Sequence, residues 1–169
     1  MNYKSKPRSR NDIRKITDFI RDALDLSNSY EFPVVELLER LSELAGDPGF
    51  YMEIVEDYEL NCYARIFPEE KKIVIRNSVY EGACNDNYRD RFTIAHEIGH
   101  YFLHPSSSIS FARGQIKSYE DPEWQANTFA AELLVPHRLI QKMQPNEISK
   151  KCKVSRQVAE IQKNIVVFK

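Results

Sequence analysis

The chain has almost no net charge: 24 Lys and Arg stand against 25 Asp and Glu, a formal −1. A protein that holds nucleic acid through its overall field needs a basic excess, so that class loses its global signal. Cysteine is scarce. Cys62, Cys84 and Cys152 are odd in number, far apart and without C-x-x-C spacing, which argues against a disulfide framework or a cysteine-built zinc site and suits a reducing compartment. No apolar run approaches the length needed to span a bilayer, and residues 1–10 (MNYKSKPRSR) lack the apolar stretch of a signal peptide. The expectation is a soluble cytoplasmic protein with no membrane partner. Its 169 residues are enough to bury a core, in one domain with a small appendage.

Against these absences stands one dense stretch, Arg91-Phe92-Thr93-Ile94-Ala95-His96-Glu97-Ile98-Gly99-His100-Tyr101-Phe102-Leu103-His104. It is apolar nearly all round, the pattern of a buried helix, and it carries H-E-x-x-H. On a helix His96 and His100 lie one turn apart on the same face, so their ring nitrogens can converge on one ion, and neutral imidazole suits zinc. Glu97 stands beside the ion without pointing at it, placed to take a proton from the activated water and return it to a leaving amine. The plainer alternative, two solvent-facing histidines, fits the apolar neighbours poorly, because buried polar groups need partners.

Residues 1–10 read as a flexible, solvated basic tail. From Asn11, a good N-cap, Ile13, Ile16, Phe19, Ile20, Ala23 and Leu24 recur at three and four, predicting an amphipathic helix to about Leu26. Pro33 starts a second helix through Leu44, stopped by Gly46 and Pro48-Gly49. Segments 51–57, 62–67 and 72–76 read as short strands of a small antiparallel-type sheet, with 68–71 as the turn between the last two. The strand with Ile73, Val74 and Ile75 is either plain sheet or, as in zinc proteases, the edge that holds an extended substrate by strand addition. Segment 78–90 reads as a polar loop. Residues 106–119 read as a connection, or as a wall of the cleft.

A catalytic zinc site needs a third protein ligand. Glu120, Asp121, Glu123 and Glu132 are the nearby candidates, on or beside a predicted helix over 121–135 capped by Asp121 with Pro122 at its first position. Glu123 and Asn127 share one face, so Glu123 can reach the ion while Asn127 hydrogen-bonds a ligand histidine; Glu132 falls elsewhere on the helix. His104 sits one further turn along, where a straight helix rotates it away from the ion, and reads as a helix-end residue or a partner to a ligand. For the oxyanion, Tyr80, Tyr88, Tyr101 and Arg113 are candidates that sequence position does not separate.

The block from Arg91 to His100, followed by Glu123-Trp124-Gln125-Ala126-Asn127-Thr128-Phe129-Ala130-Ala131-Glu132-Leu133-Leu134-Val135-Pro136, resembles the ImmA/IrrE metallopeptidase family, and the resemblance covers about residues 30–165. It implies one zinc per chain held by His96, His100 and Glu123, with Glu97 as catalytic base, in an α+β, thermolysin-like zincin. It also implies a protein partner, a helix-turn-helix repressor that is cut to release mobile-element or stress-response genes. Manganese or iron would also suit these ligands. With the sequence ending at Lys169, the further sensory domain of some relatives is not expected.

Segment 147–161 is helix-turn-helix-like, with Ser155 as a cap and Lys150, Lys151, Lys153 and Arg156 as possible phosphate contacts. One basic cluster on a near-neutral chain is a weak footprint, so direct nucleic-acid binding is not expected. The organisation expected is a tail over 1–10, a zincin-like domain over 11–144 and a helical appendage over 145–169 packed on it. Two rival functions are a metal-containing module that sequesters a regulator without cutting it, and a DNA-binding regulator.

Overall fold

The computed structural model describes residues 2–105, 110–112 and 114–167. They form an α+β fold whose elements run β1 (Asn2–Lys4), α1 (Arg10–Ala23), α2 (Val34–Glu39), α3 (Leu41–Leu44), β2 (Tyr51–Val55), β3 (Ala64–Phe67), β4 (Lys72–Arg76), α4 (Asn77–Cys84), α5 (Tyr88–Leu103), β5 (Ser110–Ala112), α6 (Pro122–Leu134), α7 (Pro145–Cys152) and α8 (Arg156–Val167). Among the described residues no helix is long and apolar enough to cross a membrane.

The main sheet has the order β2-β4-β3, with β3 antiparallel to β4 and β2 parallel to it. It is therefore mixed, and β4, the strand that could have been either plain sheet or a substrate-binding edge, is its centre. Ile73 and Ile75 are fully buried and Val74 nearly so. Three consecutive buried β-branched residues mean that both faces of a strand are covered, which suits a central position rather than a half-solvated rim. Among the described residues, the strand left with a free flank beside the α5 helix is β3.

Three other segments depart from the sequence reading. The basic N-terminus is tied down: β1 pairs antiparallel with β5, Ser5 N donates to Glu120 O (2.8 Å) and Arg8 N donates to Tyr119 O (2.8 Å). Backbone pairing needs no apolar side chains, so composition gave no sign of it. Segment 78–90 is largely helical, with Val79 and Ala83 buried one turn apart in α4, and a Cβ on Gly82 would collide with the Asp90 carboxylate of α5. The helix from Pro33 breaks at Arg40 (φ −102°, ψ 10°) into α2 and α3.

Local chemistry accounts for most helix ends. Ser9, not Asn11, caps α1: Asp12 N donates to Ser9 Oγ (3.2 Å) while Ser9 N donates to Asp12 Oδ2 (2.9 Å), a reciprocal box. Asn87 starts α5 one turn earlier than the apolar pattern suggested, its Oδ1 accepting from Arg89 N and Asp90 N. Ile148, Cys152, Val154 and Ala159 of the C-terminal segment lie in the same apolar core as Ile94, Ile98 and Leu133. Three of the cations named in that segment are held in ion pairs: Lys153 Nζ with Glu31 (2.9 Å) and Asp86 (2.7 Å), Lys151 with Glu147, and Arg156 with Glu160.

Glu132, set aside as a ligand, ties α1 to α6. Its buried carboxylate accepts from Arg10 Nη1 (2.8 Å) and Arg14 Nε (2.7 Å), and Arg10 Nη1 also donates to Gln162 Oε1 (3.0 Å) in α8. Burial works to raise its pKa, but Arg14 and Arg10 outweigh it and hold the carboxyl below its ordinary 4.5. A depressed acid contributes stability that is present above its unfolded pKa and lost as pH falls through the folded value. Glu132→Gln is expected to destabilise the protein by about 2 kcal/mol at pH 7, with the difference from wild type shrinking below pH 4.5. Urea unfolding at the two pH values measures both.

Candidate metal centre

The site is built where α5 crosses α6. A Cβ on Gly99 would stand 3.0 Å from Phe129 Cδ1 and 3.2 Å from the Ala126 carbonyl oxygen, so the bare glycine lets the helices approach closely enough for one to complete the other's site. Gly99→Val is expected to destabilise the fold by roughly 1–3 kcal/mol and to weaken metal binding by spreading the helices; thermal unfolding and a metal titration check this.

His96 and His100, one turn apart on α5, bring their Nε2 atoms to 3.0 Å. Glu123, exposed on the first turn of α6, places Oε2 3.3 Å from His96 Nε2 and Oε1 3.3 Å from His100 Nε2. The two histidines hold the Glu123 carboxyl far below the usual carboxylate range. These separations test the fit of a cation directly. Bonds of about 2.0–2.1 Å directed to the corners of a tetrahedron put neighbouring donor atoms roughly 3.3 Å apart. The three side chains form a His-His-Glu group of that size, with the set of two nitrogens and one oxygen that suits such an ion.

Each imidazole is oriented from behind. Asn127 Oδ1 lies 2.9 Å from His96 Nδ1. On the other ring the chain of contacts is longer: His100 Nδ1 lies 2.9 Å from His104 Nδ1, and His104 Nε2 lies 3.0 Å from Gln125 Oε1. Gln125 Nε2 donates to two backbone carbonyls, Lys6 O (2.9 Å) and Tyr119 O (2.7 Å). Carbonyls only accept, so both amide hydrogens of Gln125 are used and its oxygen must accept from His104 Nε2–H. Burial pushes the pKa of His104 down to about 4, so its ring carries a single N–H, and that hydrogen is on Nε2. His104 Nδ1 then accepts from His100 Nδ1–H, which leaves the lone pair of His100 on Nε2, facing Glu123. Gln125, fully buried in α6, was missed by sequence reasoning. The available signal was an amide amid the apolar residues of α6, which needs several partners.

Glu97 does not join the three ligands. Its Oε2 accepts from Ile66 N (2.9 Å), and burial raises its pKa against the opposing pull of His100, His96 and that N–H. This makes it a better proton acceptor than a solvated glutamate. The Ile66 contact also reports the free flank of β3. Tyr63 O accepts from Arg76 N (3.1 Å), so by antiparallel alternation Arg65 and Phe67 turn their backbone groups to β4, while Ala64 and Ile66 turn theirs to the cleft. A cleft of about 520 Å³ lies between this flank and the histidines. Ile73, Val74 and Ile75 are separated from it by β3.

The oxyanion candidates are not brought to the centre. Tyr80 OH donates to Glu39, and Tyr101 OH donates to Asp47 Oδ2 (3.2 Å) in a neighbouring hollow. Tyr88 opens α5 two turns before His96. Arg113 lies outside the described residues, as do 106–109 of the expected cleft wall.

An α+β fold with two histidines from one helix, a carboxylate from the next and a buried glutamate beside a free strand flank has the parts of a peptidase-type hydrolase. Residues 61–162 match the model of the IrrE N-terminal-like domain, a peptidase family, and the chain belongs to that family. It is also similar to "Uncharacterized immunity region protein 2" of Bacillus phage phi105, with 32% identity over 85 residues, 49% of this chain and 50% of the phage protein. The chain thus spans about half the length of that curated relative. Family and His-His-Glu group together point to a metal ion.

Proposed function

We propose that the protein is a cytoplasmic zinc-dependent endopeptidase that cuts a helix-turn-helix repressor. The observation that carries the reading is the spacing of His96, His100 and Glu123, with Glu97 held beside them by a backbone N–H. When bound there, a zinc ion supplies acidification of water and polarisation of a peptide carbonyl. The residues do the rest. An extended substrate adds to the free flank of β3, where Ala64 and the carbonyl of Ile66 offer backbone partners that accept any sequence. Glu97, buried and already oriented, takes the proton of the attacking water and passes it to the departing amine. Asn127 and the His104–Gln125 pair keep the imidazoles turned toward the ion.

A regulatory target is supported by the resemblance of the two motif blocks and by the phage relative, whose name assigns it to an immunity region. The DNA-binding alternative loses support from the local ion pairs of Lys151, Lys153 and Arg156, since a cation already neutralised contributes less to phosphate binding. The test is incubation of the metal-loaded protein with the helix-turn-helix regulator encoded beside it, with and without a chelator. Site-specific cutting that the chelator stops is the expected result. Tight binding without any cutting would replace this reading with sequestration.

A further inference from the structure

Beside the metal cleft is a second hollow, of about 260 Å³, walled by Phe50, Ile66, Phe67, Pro68, Tyr101 and Pro105. We infer that this hollow is a specificity subsite that takes a large apolar side chain of the peptide substrate, one to three residues on the N-terminal side of the bond that is cut. The inference rests on the peptidase reading and adds to it a sequence preference with a direction.

Continuity comes first. Ile66, Phe67 and Pro68 line both the metal cleft and the hollow, so a chain lying along β3 leaves one and enters the other. The direction follows from the strand. Antiparallel addition is the more stable pairing per residue, and a peptide so aligned has its N-terminal residues over the Phe67–Pro68 end of β3 and its C-terminal residues toward Cys62. Glu97 meets β3 at Ile66, and Tyr101, on the hollow's wall, stands one helical turn beyond Glu97 toward the same end. One turn is about 5.4 Å and an extended residue covers about 3.4 Å, which sets the offset at roughly two residues.

Chemistry selects the occupant. Phe50 and Tyr101 pack edge to face with centroids 4.8 Å apart, and two prolines complete an apolar wall. The charged groups at the hollow satisfy each other: Lys71 Nζ donates to Asp47 Oδ1 (2.8 Å) and Tyr101 OH to Asp47 Oδ2 (3.2 Å). With acid, base and phenol already paired, a charged side chain entering would lose its hydration and find no counter-charge among the described residues, whereas an apolar one loses nothing. The hollow therefore favours Leu, Met or Phe over Asp, Lys or Ala.

The test is cleavage of a proteome-derived peptide library by the metal-loaded full-length protein, with cut sites read by mass spectrometry. Wild type is expected to enrich Leu, Met and Phe by roughly tenfold or more over Ala at one position within three residues upstream of the cut. Tyr101→Trp, which fills the hollow, is expected to move that preference toward smaller side chains. Phe67→Ala, which widens it from the opposite wall, is expected to move it toward bulkier ones and serves if the first variant does not fold. A library that is cut with no apolar enrichment upstream, or with enrichment unchanged in both variants, overturns the subsite while the peptidase reading stands. A library left wholly uncut by protein shown to hold its metal, together with a neighbouring regulator that is also left uncut, overturns both, and a regulator cut at a bond with no large apolar residue within three positions upstream overturns the subsite alone.

Discussion

Replacing Glu97 by Gln is expected to leave the metal bound and to slow cleavage by roughly 10²–10⁴-fold, the usual range for loss of a positioned acid or base. The substitution is close to isosteric, and the amide oxygen of glutamine can still accept from Ile66 N, as Glu97 Oε2 does at 2.9 Å, so the side chain has reason to stay in place. What it loses is the ability to take a proton. Burial raises the basicity of Glu97, and among the described residues nothing else at the centre duplicates that role: Glu123 is held far below the usual carboxylate range by His100 and His96, and His104 donates its one N–H to Gln125. Single-turnover cleavage of the neighbouring regulator, with metal content measured on the same preparation, decides the matter. A variant that cuts at the normal rate removes Glu97 from proton transfer. One that loses metal and cutting together makes the carboxylate a ligand. Under the sequestration alternative, regulator binding is unchanged and no cutting is seen in either protein.

The parts of this site that were legible in sequence are those set by one helix at a time. His96, Glu97 and His100 follow from helical periodicity within α5, and Glu123 with Asn127 from the same rule within α6, whose cap and first-turn proline were also readable. Where two segments distant in sequence meet, periodicity is silent. Gln125 matters because Lys6 and Tyr119 place their carbonyls beside it, and no local pattern announces that meeting. The order of the sheet failed for a different reason. The unbroken Ile73-Val74-Ile75 run is a sign of a strand covered on both faces, and it outweighs the analogy that offered the strand as a substrate-binding edge beside the plain-sheet reading. Helix α4 was hidden by its shortness and by the glycine inside it: over eight residues Val79 and Ala83 are buried and Tyr80 packs partly on the core, too few turns for a period to show.

Gln125→Leu is expected to weaken metal binding by about 10–100-fold although Gln125 touches no ligand. Leucine fills a similar volume but neither accepts from His104 Nε2 nor donates to the carbonyls of Lys6 and Tyr119. His104 is then free to move its hydrogen to Nδ1, the atom that faces His100 Nδ1 at 2.9 Å, and two N–H groups cannot share that contact. His100 is pushed toward the tautomer with hydrogen on Nε2, the nitrogen that must be bare to bind a cation. The loss should therefore be visible in the metal-free protein, as a change in the ring-nitrogen resonances of His100, as well as in a chelator-competition titration. His96, oriented separately by Asn127, should keep its resonances. A purely structural role for Gln125 would lower the unfolding temperature but leave both the His100 tautomer and the affinity of the folded protein intact. Combining Gln125→Leu with His104→Leu separates the cases further. If the two act in one chain, the double variant binds metal little worse than either single one, and if they act independently their effects add.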